Sequence, residues 1–180
     1  MERIVIIGNS GSGKTYLAQR LGDHFGYPIV HLDKLFWEPG GFNNKRPKEL
    51  VYAEIATLVQ GKNWVVEGVF GELAQEFLVN ADQLIWLDLD PESCLNSLRQ
   101  RCAESSTQLD MQSAAENFQK LLTWAAAYWQ RDDLRSYRGH AHLLEEFKGK
   151  KVHLQTRRAV NQYIDSLIPY AKHSLQEFDE

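Results

Sequence analysis

The stretch Ile4-Val5-Ile6-Ile7-Gly8-Asn9-Ser10-Gly11-Ser12-Gly13-Lys14-Thr15 decides how this chain folds. Its first four residues are apolar and β-favouring and read as a buried strand; the rest match the phosphate-binding pattern G-x-x-x-x-G-K-[ST]. Behind them Leu17, Ala18, Leu21 and Phe25 recur at helical spacing, which completes a strand, Gly-rich turn and helix. In that arrangement several backbone N–H groups and the positive end of a helix converge on one spot, which suits a polyphosphate. The expectation is a nucleotide site. Gly8, Ser10, Gly11, Ser12 and Gly13 cradle the α/β-phosphates, Lys14 reaches the β/γ-phosphates, and the Thr15 hydroxyl ligates magnesium. The alternative is a Gly-rich turn that merely joins a core strand to a core helix.

Working outward, a chain of 180 residues can bury one good core, so one domain over 1–180 is expected. With 43% hydrophobic and 24% charged residues it reads as an ordinary globular protein rather than a disordered one. No cationic start precedes an apolar run, and Ile4–Ile7 is too short to cross a bilayer, which makes the cytoplasm the default location. Cys94 and Cys102 lack C-x-x-C spacing and a nearby His pair, so both are read as packing residues. A net charge of −4 argues against direct nucleic-acid binding driven by a broad basic surface.

Strand-like runs recur at Arg3–Ile7, Pro28–Leu32, Trp64–Glu67, Leu84–Asp88 and Lys151–Leu154, each followed by a helix-like segment. Five βα units in series predict a parallel sheet with helices on both faces, because right-handed crossovers are nearly obligatory. Ligands then gather at the carboxyl ends of the strands. That rim holds the Gly-rich turn, Asp33, Glu67, Asp88 with Asp90, and Thr156 with Arg157, the last counted with the nucleotide-binding residues. Two stretches exceed crossover length. Residues 34–62, with a helix expected from about Pro47 to Gln60, read as an acceptor-binding insert; the polar stretch 103–115 reads as a mobile lid. A long helix is expected after it, with Phe118, Leu121, Leu122, Ala125 and Trp129 on one stripe.

Asp33 ends the second run, where its carboxylate can take a proton from an acceptor hydroxyl or hold magnesium through water; the alternative is a turn cap or a pair with Lys34. His31 is two residues earlier, on the same side, and reads as a hydrogen-bonded histidine at a strand end. Glu67, followed by Gly68, has the placement of a magnesium carboxylate, with a structural role as the alternative. Asp88 and Asp90 could imitate a magnesium aspartate, but Asp90-Pro91-Glu92-Ser93 reads better as a helix start. Phosphoryl transfer needs guanidinium groups around the moving charge. Arg101, beside the expected lid, is the leading candidate. Arg131 and Arg135 share a helical face with Arg138 if the helix runs unbroken, and are placed in the cleft ahead of it, with an ordinary solvated face as the alternative. Phe36, Trp37 and Phe70 are candidate walls of the acceptor pocket, although core packing is their usual fate.

These segments resemble the adenylate kinase-like group of P-loop kinases and, more closely, the family of DNA topology modulation proteins. The matching pieces are Gly8–Thr15, His31-Leu32-Asp33-Lys34-Leu35-Phe36-Trp37, Trp64–Phe70, the run Leu84–Asp88 with Cys94-Leu95 and Arg101, and Arg157-Arg158. The resemblance implies a five-stranded parallel sheet ordered 2-3-1-4-5, with acceptor insert and lid. It also implies acceptor and magnesium positions at Asp33 and Glu67, and lid and phosphate positions at Arg101, Arg131 and Arg135. The chain departs from relatives in having Gln108-Leu109, where an Arg-Pro pair is usual before Asp110-Met111, and Val69, where a polar residue is common.

The leading expectation is an ATP- and Mg2+-dependent kinase acting on a small acceptor, a nucleotide or nucleoside. The alternative is a regulatory or DNA-associated ATPase with no small-molecule acceptor, which the acidic balance disfavours. No N-K-x-D segment is present to read guanine, which points to ATP.

Overall fold

The computed structural model describes residues 2–39, 44–105 and 111–167, with the backbone alone for 102–105 and 111–114. Five strands, β1 (Arg3–Gly8), β2 (Ile29–His31), β3 (Trp64–Gly68), β4 (Gln83–Leu87) and β5 (Lys150–Leu154), form one sheet in the order β2-β3-β1-β4-β5. Every pairing is parallel, as the βα repetition predicts. The register sets Ile6 opposite Glu67, and Glu67 opposite His31, so residues far apart in sequence meet at one carboxyl-end rim.

Alternation along the strands divides the core in two. Val5, Ile7, Val66, Leu84 and Trp86 pack on one face with Leu32 and Leu35 of α2 (Leu32–Phe36) and Val51 and Ile55 of α3 (Lys48–Leu58). Leu73 and Phe77 of α4 (Gly71–Leu78) join them there. Ile4, Ile6, Val65, Ile85 and Leu87 pack on the other with Leu17 and Leu21 of α1 (Lys14–Phe25) and Cys94 of α5 (Pro91–Ser105). The two edges are blunted: β2 has 3 residues, and β5 carries exposed Lys150 and Lys151. Among the described residues no helix is long and apolar enough to cross a membrane.

Two expectations need correction here. The second run ends as a strand at His31, and Asp33 is the second residue of α2, because Leu32 and Leu35 turn inward onto β3 and β1 rather than extending the edge. The long helix after the expected lid also breaks. After α6 (Met111–Ala126) comes a 3-10 turn at Ala127–Trp129, then a loop, and α7 begins at Tyr137 (Tyr137–Glu146). Asp133 and Ser136 end the helical path with side-chain bonds of their own. Asp133 Oδ1 accepts from Arg135 N at 2.8 Å, and Ser136 caps α7 by accepting from Gly139 N at 3.1 Å. Arg131 and Arg135 therefore lie in a loop, and only Arg138 is helical.

The helix expected from Pro47 is α3, and the chain closes with α8 (Arg157–Leu167). Within the expected lid, Ala103–Ser105 end α5 and Met111 opens α6; 106–110, with the Gln108-Leu109 departure, lie outside the described residues.

Candidate functional site

The Gly-rich turn between β1 and α1 has the conformation its glycines permit. Gly11 sits at φ 80°, and a Cβ there would lie 2.1 Å from the Cys94 carbonyl oxygen, so neither the backbone nor the space admits a side chain. Asn9, 1% exposed, organises the turn from within. Its Nδ2 donates to the Ala125 carbonyl at 2.9 Å and its Oδ1 accepts from Ser10 N at 2.8 Å. Its own carbonyl accepts from Ser12 N at 3.2 Å and from Lys14 Nζ at 2.8 Å.

Lys14 is buried, and burial pushes its ammonium below the ordinary lysine range, partly opposed by the negative charges of Glu67 and Asp33 and reinforced by Arg101. Next to it the Thr15 hydroxyl donates to Glu67 Oε1 at 3.1 Å. The same oxygen receives His31 Nδ1 at 2.7 Å, so His31 is a hydrogen-bonded strand-end histidine, bound to the carboxylate expected to serve the metal. Asp33 is exposed, with Oδ1 accepting from Lys34 N at 2.9 Å. The nearest ligand atoms of His31, Asp33 and Glu67 lie within 4.8 Å of one another.

Arg157 is bonded to the backbone of the turn. Its Nη1 donates to the Ser12 carbonyl at 3.0 Å, and its Nη2 to the Gly11 carbonyl at 2.7 Å and Ser97 Oγ at 2.5 Å. The structure thus places it on the backbone of the phosphate turn. Arg101 is exposed on α5, close enough for its charge to act on Lys14.

Arg131 and Arg135 come together in the loop seated on the start of α4. Arg135 pairs with Glu72 through Nε at 2.7 Å and also through Nη2, and its guanidinium lies 4.5 Å from the Phe36 ring centroid and 4.6 Å from that of Phe70. Arg131 stacks on Trp124 at 4.0 Å, donates to the Arg135 carbonyl at 3.0 Å and meets Asp133 at 3.5 Å; burial lowers its pKa. With Glu72, Trp124, Asp133 and Leu134 they line a cavity of about 390 Å³. The loop reaches this position because α4 starts at Gly71, where a Cβ would sit 1.9 Å from the Leu134 carbonyl oxygen.

Phe36 and Phe70 stack at 4.5 Å, but Phe70 belongs to the core, and neither they nor Trp37 line the cavity; Trp124 does. Arg138 pairs with Asp132 at an exposed site. Asp88 is held by His153 Nε2 at 2.9 Å and Gln155 Nε2 at 3.2 Å, and Asp90 Oδ1 accepts from Ser93 N at 2.9 Å, the helix-start role read from the sequence. Hydrogen bonding from the Ser93 side chain, and then from this backbone N–H, holds the Asp90 carboxyl below its usual range. Cys94 is a buried packing residue whose thiol burial pushes up to about 11, while the Cys102 side chain lies outside the described set.

Sequence reading passed over one buried polar relay. Trp86 Nε1 donates to Tyr128 Oη at 3.2 Å, Tyr128 Oη lies 2.7 Å from His140 Nδ1, and His140 Nε2 lies 3.1 Å from the Val69 carbonyl. A carbonyl can only accept, so His140 carries its proton on Nε2 and accepts from Tyr128 at Nδ1. Burial pushes its pKa down to about 3, leaving the ring neutral. The relay fixes the β3 exit, between Glu67 and Glu72, against α7. Neither Glu72, Trp124 nor His140 belongs to a motif, and only Asn9, inside the phosphate pattern, carried a positional signal.

No family model matches the chain, and no curated protein matches it in sequence. Solved structures do match in fold. A shikimate kinase from Bacteroides thetaiotaomicron is 14% identical, with 93% of this chain and 96% of that chain covered and a TM-score of 0.51. A protein provisionally named a kinase, from Chloroflexus aurantiacus, is also 14% identical, with 95% and 99% covered and a TM-score of 0.50. At that identity the likeness is one of architecture: the chain has the α/β fold of P-loop kinases, with strand order 2-3-1-4-5. The narrower resemblance to DNA topology modulation proteins rests on the sequence segments alone.

Proposed function

We propose that this protein is a kinase that transfers the γ-phosphoryl group of ATP to a hydroxyl of a small acceptor, a nucleotide or nucleoside. The observation that carries the reading is that two compartments share the β3 exit. One is the phosphate turn with Lys14 and the Thr15–Glu67 pair; the other is the cavity between Arg131, Arg135 and Trp124. A switch ATPase needs the first, whereas a phosphotransferase needs both.

The groups present fit the cofactors. Lys14 is a buried cation that donates to the neutral Asn9 carbonyl, so a phosphate oxygen would restore the stabilisation that burial removes. Thr15 and Glu67 offer a hydroxyl and a carboxylate oxygen 3.1 Å apart, hard donors of the kind magnesium takes, and these two would hold it. Magnesium held there would supply positive charge to offset that of the phosphates. The amides of Gly8, Ser10, Gly11, Ser12 and Gly13 orient the phosphates, with Arg157 bracing the turn on the nucleotide side. Asp33 faces the acceptor hydroxyl. As that oxygen bonds to the γ-phosphorus and the bond to the bridging oxygen breaks, ADP leaves and the hydroxyl proton passes to the acceptor-side carboxylate. Arg101, Arg131 and Arg135 stabilise the charge on the moving group, and 34–62 and 103–115 act as acceptor insert and lid.

With Mg2+, ATP and a panel of nucleotides and nucleosides, ADP should appear in step with a labelled acceptor, and Lys14→Ala should lower turnover by about a hundredfold or more. ATP hydrolysis that needs DNA or a protein partner, with no acceptor ever labelled, would overturn the reading.

A further inference from the structure

We propose that His31, Asp33 and Glu67 form a divalent-cation site that fills without nucleotide and prefers manganese, cobalt or zinc to magnesium. The strand register places His31 directly beside Glu67, and one carboxylate oxygen, Oε1, is the meeting point of the imidazole at 2.7 Å and the Thr15 hydroxyl at 3.1 Å. Asp33 enters from the first turn of α2, bringing the three donor groups within 4.8 Å of one another. Ligands at ~2.1 Å around one ion stand at most ~4.2 Å apart. The remaining gap is closed by rotation of Asp33, which is exposed and whose Oδ1 accepts from the Lys34 amide. Glu67 and His31 are held by their strands, so the site is largely built before an ion arrives.

The donor set decides which ion. Magnesium favours oxygen ligands and retained waters, whereas an imidazole nitrogen with two carboxylates favours the first-row transition metals, in the order manganese, cobalt, zinc. Charge supports occupancy. Asp33 and Glu67 bring two carboxylates to the site, and both act on the nearby buried Lys14. Glu67 and Asp33 are shared with the magnesium and acceptor positions of the kinase reading, so the inference deepens that reading, but its test needs neither nucleotide nor acceptor.

Chelator-treated, nucleotide-free protein is titrated with Co2+, followed by visible absorption, and with Mn2+, followed by electron paramagnetic resonance with pulsed detection of nitrogen coupling. The expected result is one ion per chain, Co2+ bound at least about tenfold tighter than Mg2+, and an imidazole nitrogen coupled to Mn2+. His31→Gln should abolish the nitrogen coupling, and it and Asp33→Asn should each weaken Co2+ by about ten- to a hundredfold. Asp33 is exposed, so its variant keeps the measurement decisive if His31→Gln fails to fold. Lys14→Ala should retain Co2+ while losing ATP, which separates this site from the nucleotide site. Co2+ bound no tighter than Mg2+, or wild-type Co2+ affinity in either folded variant, would overturn the proposal. A protein that binds Co2+ as expected but labels no acceptor would overturn the kinase reading and leave the metal site standing.

Discussion

The phosphate turn and the arginine loop reach the same β3 exit by opposite routes. The turn is local: Ser12 and Lys14 both donate to the Asn9 carbonyl within six residues, and Gly11 packs on the Cys94 carbonyl with no room to spare. The arginine loop is assembled at long range, with Arg135 meeting Glu72 63 positions away and Leu134 seated on Gly71. One region is a contiguous motif whose geometry follows from its spacing. The other exists only once strands, α4 and α7 are in place, so its chemistry belongs to the tertiary fold.

Breaking the local region should cost most. Gly11→Ala combines a left-handed backbone penalty with a clash against Cys94, and should destabilise the protein by roughly 3 kcal/mol, seen as a lower urea midpoint. The joint between the regions, His140, comes next. Its folded pKa of about 3 lies below the unfolded value of 6.5, so the unfolded chain takes up the proton first and stability falls as pH drops through that window. Between pH 7 and 5 this contributes a loss of about 2 kcal/mol, which His140→Gln should remove from the pH dependence of unfolding, although the variant is less stable at pH 7.

Arg135→Ala should cost about 1 kcal/mol of stability, because its pair with Glu72 is only partly buried, and should raise the acceptor KM about tenfold with ATP binding unchanged. An equal loss in ATP affinity would erase the distinction between the compartments. Arg138→Ala, whose pair with Asp132 is exposed, should change neither stability nor kinetics measurably.

The same contrast explains what could be read from the residues alone. The sheet and the Gly-rich turn were legible because continuous apolar runs and a spaced motif are local signals, whereas the strand order came only with the family resemblance. Glu67 and His31 were each visible as strand-end residues, but their contact depends on parallel register between β2 and β3, which no single segment encodes. Arg131 and Arg135 were legible as cationic candidates yet assigned to a helix. Counting i, i+4, i+7 ignores the Asp133 and Ser136 side chains, which offer the backbone a competing set of hydrogen bonds. The Asp132-Asp133 pair three residues before a capping serine was the signal for that break. His140 had no signal, because a histidine satisfied by a tyrosine and a carbonyl looks in sequence like any other.

Asn9 carries a mechanical consequence. Its side-chain amide grips the end of α6 at Ala125 while its backbone oxygen holds the Lys14 ammonium. When the ammonium swings toward another anchor, the carbonyl loses that tether, yet the amide still ties the turn to α6. The phosphate turn and this helix are thus yoked by one residue, and strain at either end has a covalent path of a few bonds to the other.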